Sequence, residues 1–280
     1  MAVRIVTDSA ADLTDEESEA LGVTVVPLSI RFGAEEFVDR KDLTPEAFYA
    51  KLASASVLPE TAAPSPGAFE AAFRACLDAG AEGVVCINIS SLLSATMASA
   101  QNGARALEGA DVRIVDSRSI TSGLGSQVKA AARAAAGGAN ADEVVRIVDD
   151  MIPRTRVYGA LDTLDNLKKG GRIGGAQAML GTLLSIKPII DISTGEVQQE
   201  AKPRTRTKAL QHLVDKVVAA GAVENLSVMH GQAPDIEQFL DLLTAHHPRE
   251  SIHVGDIGAT IGVHGGPRVM GVTYQVPGTS

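Results

Sequence analysis

The first half of this chain alternates short apolar runs with stretches of helical spacing, and that order constrains its fold more than any single residue does. VRIVT (3–7), VTVVPLSIRF (23–32), GVVCINI (83–89) and DVRIVDS (111–117) read as strands or extended segments. Between them lie TDEESEALG (14–22), capped by Thr14, and LTPEAFYAKLA (43–53), with Thr44 at the cap and Pro45 in the first turn. GAFEAAFRACLDAG (67–80), LSATMASAQNGARAL (93–107) and SGLGSQVKAAARAAAGG (122–138) are further helices, and 54–66 reads as a loop. A β-α-β-α order implies a parallel sheet covered by helices on both faces, because parallel neighbours need a crossover between them.

A helical segment, ADEVVRIVDDMIP (141–153), ends at Pro153, and a domain boundary is expected there. The fold class is α/β with two domains. Residues 1–154 form a parallel-sheet α/β/α sandwich and 155–280 a second α/β domain. In the latter, VYGALDT, SIKPIIDIST (185–194), LSVMHG, SIHVGDIG and GVTYQV read as strands, with EVQQEAKP joined through a Thr194-Gly195 turn. RTKALQHLVDKVVAAG and PDIEQFLDLLTAHH are helices. Extended pairs, then helices, then strands suggest a mixed or antiparallel sheet with helices on one face.

Composition narrows the function classes. Hydrophobic residues make up 45% of the chain but aromatics only 3%, with no Trp, so the core must be aliphatic. A net charge of -9 disfavours a nucleic-acid partner. Cys76 and Cys86 read as free buried thiols, and no His/Cys cluster suggests a metal. MAVRIVTDSAADL has no apolar signal region, and the apolar stretch AMLGTLLSIKPIIDI is broken by Lys187 and Pro188 short of a membrane span. A cytoplasmic protein without membrane association is expected.

Polar segments interrupt the pattern where strands end. Asp8-Ser9 follows strand 3–7 at the usual ligand edge of a parallel sheet, though a cap or Asx turn explains it as well. Thr61 sits in a loop stiffened by Pro59, Pro64 and Pro66. In ISSLLSATMASA (89–100), Ser90, Ser91, Ser94, Thr96 and Ser99 gather hydroxyls at a helix start, a place that suits an anion or simply a cap. His264 lies in the Gly-rich break IGATIGVHGGPRVMGV (257–272), where backbone can approach a ligand. A basic segment, NLKKGGRIGGAQAML (166–180), carries Lys168, Lys169 and Arg172, with Arg204 and Arg206 in KPRTRTKAL downstream. It matches neither a Walker loop nor GxGxxG. Arg172, following two glycines at a helix junction, is expected at the surface, either facing a partner or paired with an acid such as Asp165.

In this order along the chain, VTDSAADL, TAAPSP, SSLLSATMASA, LDNLKKGGRIG, KPRTRTKAL and IGATIGVHGGP resemble the signatures of the DegV family. The match runs over essentially the whole length. TAAPSP resembles the family's Thr-Ser-x-Pro-Ser loop and SSLLSATMASA its SSxLSGT element. Ala62-Ala63 stand where the family has a polar pair, and Ala95 where it has glycine. The resemblance implies a two-domain fold with a long-chain fatty acid in the cleft between the domains. It is also similar to the fatty-acid-binding subunit of bacterial fatty acid kinase, in which a separate kinase subunit phosphorylates the bound acid. By that resemblance Thr61, Ser94 and His264 contact the carboxylate. Ser9, Ser91 and Thr96 are further ligand-edge candidates, and Arg172 and Arg204 engage the kinase or product. No catalytic residue, cofactor or metal is implied.

Two other functions stay open on the residues alone. Ser94 and His264 could form a nucleophile–base pair for acyl transfer, although no GxSxG elbow and no third residue to orient His264 is evident. The chain could instead bind another small carboxylate or phosphate.

Overall fold

The computed structural model describes residues 2–180 and 186–278, so Ser185, first residue of the expected strand 185–194, lies outside the described residues. The first half runs β1 (Val3–Asp8), α1 (Asp15–Leu21), β2 (Val23–Val26), β3 (Ser29–Phe32), β4 (Glu35–Val38), α2 (Pro45–Ser54), β5 (Glu60–Ala62), α3 (Pro66–Asp78), β6 (Gly83–Asn88), α4 (Thr96–Arg105), β7 (Val112–Asp116), α5 (Thr121–Ala136) and α6 (Ala141–Met151). The second half runs β8 (Thr155–Ala160), α7 (Asp165–Lys169), β9 (Ile189–Asp191), β10 (Gln198–Ala201), α8 (Arg206–Ala220), β11 (Glu224–His230), α9 (Ile236–Thr244), β12 (His253–Asp256), α10 (Ala259–Gly265) and β13 (Met270–Gln275).

β2-β1-β6-β7 form a four-stranded sheet in which every neighbour is parallel. β6 is buried along its whole length, as a central strand covered on both faces must be. Its side chains alternate between two layers. Val84 and Cys86 join Phe69 and Phe73 of α3, while Val85 and Ile87 join Leu124 of α5 and Val144 of α6. Both cysteines are free and buried. The caps read from the sequence are in place. Thr14 and Glu17 make a reciprocal capping box, and Thr44 Oγ1 accepts from the Ala47 amide.

The segment 23–32 is not one strand. It breaks at Pro27-Leu28, where proline removes a ladder donor. β2 then stays in the parallel sheet, while β3 pairs antiparallel with β4 and β5 in a separate three-stranded sheet. β5 falls inside the expected loop 54–66, and its register places Thr61 opposite Ile30.

The other large sheet has the order β10-β9-β8-β13-β11-β12, antiparallel except for β11 beside β12. One face, with Tyr158, Val228 and Val272, packs on α8 and α9 through Leu213 and Phe239. The other face, with Val157, Ile190 and Met229, shares a core with α5, which therefore lies between the two large sheets. No helix of the described residues is long and apolar enough to cross a membrane.

Candidate functional site

His264 does not sit in a glycine-rich break. Residues 259–265 fold into α10, and His264 stands in its last turn. Helix propensity alone is poor in ATIGVHG, and tertiary anchoring makes up for it. Asp12 Oδ1 accepts from the Gly258 amide at 3.0 Å and from Arg40 Nη2 at 2.8 Å. Asp39 Oδ2 accepts from Thr260 Oγ1 at 2.6 Å and from Ser9 Oγ at 2.8 Å. At the other end, Asn166 of α7 donates to the Val263 carbonyl at 2.9 Å. Both carboxylates are buried, so these bonds are not diluted by solvent.

This anchoring brings His264 Nε2 within 3.3 Å of Thr61 Oγ1, across 203 residues of chain. The ring packs against Gly170, which caps the end of α7. A Cβ on Gly170 would come within 2.3 Å of His264 Nδ1, so position 170 admits only glycine without moving the imidazole. Burial first, and the nearby Arg172 charge second, push the His264 pKa down to about 4, so the ring is neutral at neutral pH. Arg172 is not a free surface group. It is half-buried, and its guanidinium donates to the carbonyls of Leu93 (3.1 Å) and Gly170 (2.8 Å). Thr61, Arg172 and His264 line both an inner apolar cavity and an outer groove that also contains Val57, Glu60 and Lys169. They form a polar mouth between the two, with Ser94 also facing the cavity.

The inner cavity, about 80 Å³, is walled by Leu28, Ile89, Leu93 and Ile120 on one side and by Val157, Ile190, Ile192 and Met229 on the other. Its walls are mainly aliphatic, with the polar groups gathered at the mouth. Its floor is the face of the six-stranded sheet turned toward α5. Gly159 of β8 and Gly271 of β13 are register partners there. A Cβ on Gly271 would meet only backbone oxygens, at 3.4 and 3.6 Å, so the space in front of it is open. Glycine inside a strand marks a place where something approaches the backbone closely. VYGAL and VMGVTYQ carried that sign in the sequence, and the site residues read from the sequence did not include either glycine. Thr121 also lines the cavity, held at a φ of 47° that a β-branched residue seldom adopts. No sequence pattern points to it, or to the roles of Asp12 and Asp39, whose α10 partners lie more than two hundred residues away.

The remaining expected site residues have other duties. Ser9 Oγ is buried between Asp39 and the Leu28 amide, and tightens the strand connection. Exposed Ser91 bonds half-buried Asp116. Thr96 is fully buried behind Ser94, and its Oγ1 lies 2.8 Å from Ser94 Oγ. Ser94 precedes the helix, whose cap position is Ala95. Arg204 is exposed and away from the cavity lining, while its neighbour Arg206 pairs with Asp235 at 2.8 Å. Lys168 and Lys169 are exposed. The pair required for nucleophilic catalysis is not assembled. Ser94 turns to Thr96, His264 Nε2 faces Thr61, and among the described residues nothing bonds His264 Nδ1 to orient the ring. No group of His, Cys, Asp or Glu among the described residues could hold a metal ion.

A parallel sheet and a mixed sheet that together enclose an apolar cavity with a polar mouth define a class of α/β protein built around one interior site. The chain belongs to the DegV family, whose description is that of an uncharacterised protein family and whose model matches residues 2–276. It is 35% identical over 277 residues to a DegV domain-containing protein of Streptomyces coelicolor, with 98% of each chain covered. It is 34% identical to one of Deinococcus radiodurans, covering 98% of this chain and 99% of the relative. Among solved structures it is similar to a DegV family protein from Thermus thermophilus described for its fatty acid binding, with a TM-score of 0.91 and 30% identity over 99% of this chain and 100% of that one. It is also similar to DegV of Bacillus subtilis, a fatty acid binding protein, with a TM-score of 0.87 and 26% identity over 99% and 100% of the two chains. A stearic acid-binding protein of Eubacterium ventriosum matches with a TM-score of 0.85 and 26% identity over 98% of each chain.

Proposed function

We propose that this protein binds one long-chain fatty acid, with its tail in the apolar cavity and its carboxylate at the mouth formed by Thr61, Ser94, His264 and Arg172. The observation that carries this reading is the sharing of Thr61, Arg172 and His264 between the mainly aliphatic cavity and the outer groove. A carboxylate placed there meets hydroxyl and guanidinium donors while its tail stays out of water. The fatty acids bound by the Thermus, Bacillus and Eubacterium relatives support the same ligand class. Energetically the tail dominates. Each buried methylene contributes about 0.8 kcal/mol before ordering costs, so a few already outweigh any single head-group contact. Each neutral head-group hydrogen bond adds only about 0.5–1.5 kcal/mol.

The mouth opens to the groove beside Lys169 and Val57, so a bound carboxylate is presented outward. We infer from this that the protein is a carrier that hands the head group to a separate kinase subunit for acyl-phosphate formation. Catalysis then resides in the partner. Organic extraction of the purified protein followed by mass spectrometry tests the ligand. A stoichiometric long-chain acid is expected, and an empty protein or a bound small phosphate would overturn the reading. Acyl-phosphate formation from the extracted acid, measured with and without a purified fatty acid kinase subunit, tests the carrier role.

A further inference from the structure

The cavity floor continues beyond its two glycines. Across the six-stranded sheet one register row runs Ile190, Gly159, Gly271, Met229, Gly255, from β9 through β8, β13 and β11 to β12. Three of its five positions are glycine, so the row is a trough in the sheet surface. Ile190 closes one end, its Cγ1 3.5 Å from where a Cβ on Gly159 would stand, and a large flexible side chain, Met229, interrupts the row further on. The Met229 thioether is folded away from Gly271 and lies over Gly255. An ideal Cβ at 255 would stand 3.1 Å from both Sδ and Cε. Glycine at 255 is what lets the methionine lie flat.

Met229 is also a shared wall. It lines the apolar cavity and, on its other side, a second cavity of about 520 Å³ that reaches His253, Lys129 and Ser122. The wall between the two at this point is an unbranched thioether, the side chain that most readily changes shape to fit irregular space.

We propose that Met229 is the adjustable end wall of the acyl cavity and the residue that sets the preferred length of the bound acid. This rests on the fatty-acid reading above. A tail that grows along the trough meets the methionine. With the thioether parked over Gly255 the trough is open as far as Gly271, and with it swung back the trough shortens. Removing the side chain joins the trough to the second cavity. It frees space for about three more methylenes, the length of Cγ, Sδ and Cε. Filling position 255 does the reverse, because the thioether must then turn over Gly271.

Two substitutions of opposite sign test this. Delipidated wild type, Met229→Ala and Gly255→Val are each equilibrated with an equimolar series of saturated acids from lauric to arachidic, and the bound acid is read by native mass spectrometry. Met229→Ala should move the preferred acid longer by about three methylenes, and Gly255→Val shorter by one or two, each methylene changing relative affinity about fourfold. If either folded variant binds acid with the wild-type distribution, the assignment of Met229 is wrong while the fatty-acid reading stands. If wild type takes up none of the acids, the fatty-acid reading fails and the length selector fails with it.

Discussion

Gly271→Val separates the demands of the fold from those of the cavity. In β13 a glycine costs about 0.5–1 kcal/mol relative to a residue with a Cβ, and valine is among the best strand formers. The new Cβ would meet the Tyr158 and Met229 carbonyl oxygens at 3.4 and 3.6 Å, ordinary contact that asks for no backbone shift. The rest of the side chain enters the cavity. The ligand-free variant should therefore melt higher, by about 2–4 °C per kcal/mol gained. The three added carbons occupy the place of two or three acyl methylenes. At about 0.8 kcal/mol each this is a loss of about 2 kcal/mol, or about thirtyfold in affinity. Thermal unfolding of delipidated protein and displacement of a fluorescent fatty acid measure the two effects separately. Unchanged affinity would mean that no tail passes over Gly271, and a lowered melting temperature would mean that the space in front of it is not open.

Ser94→Ala and His264→Ala should each weaken acid binding by no more than about 0.5–1.5 kcal/mol, the worth of a neutral hydrogen bond, yet lower kinase-dependent acyl-phosphate formation far more, because transfer needs the carboxylate held in place. Complete loss of lipid by a folded Ser94→Ala protein would refute that division. Arg172→Ala should cost about 1.5–3 kcal/mol in acid binding, as loss of a charged donor at the mouth, while Arg204→Ala leaves the titration unchanged. Equal affinities for the two variants would remove Arg172 from the site. His264, held at about 4 when folded against 6.5 unfolded, contributes stability that is present above pH 6.5 and lost as pH falls toward 4, at about 1.4 kcal/mol per pH unit. Asp8, raised by burial to about 6, runs the other way, its contribution present below 3.8 and lost as pH rises through 6. In denaturant titrations His264→Gln removes only the first effect. The stability of this variant relative to wild type should rise between pH 6.5 and 4, and a pH-independent difference would show that the ring is not buried neutral.

The regular part of the fold was legible because periodicity and caps agree locally. β1, β6 and β7 are apolar runs long enough to identify, and Thr14, Thr44 and Pro45 mark helix starts by chemistry that acts over three residues. β5 was not legible. ETA has no period of its own and becomes a strand only because β3 turns away from β2 and offers it an edge. α10 was hidden for the same kind of reason, since its stability comes from Asp12, Asp39 and Asn166, at positions that no window around 260 contains. Thr61, Ser94 and His264 were singled out by the resemblance of TAAPSP, SSLLSATMASA and IGATIGVHGGP to DegV signatures, since on the residues alone a connector, a cap and a structural histidine explain them as well. The placement of Arg172 depended on the Leu93 carbonyl, which only the packed structure supplies. The floor of the cavity is the subtler omission, since Gly159 and Gly271 look like defects in two strands until their register is known.

α10 ties to the start of the chain through bonds between residues 246 and 221 positions apart. That separation has a consequence during synthesis. Domains generally form from the N-terminus as the chain emerges, and residues 3–116 suffice for the whole parallel sheet. Asp12 and Asp39 are then committed to a nascent structure whose amide and hydroxyl donors have not yet been made. Until the last two dozen residues leave the ribosome, two carboxylates must keep water that the finished protein excludes. A chain that stops short of Gly258 therefore lacks more than a helix. It carries an open seam with two carboxylates along it, those of Asp12 and Asp39, that have lost their α10 donors.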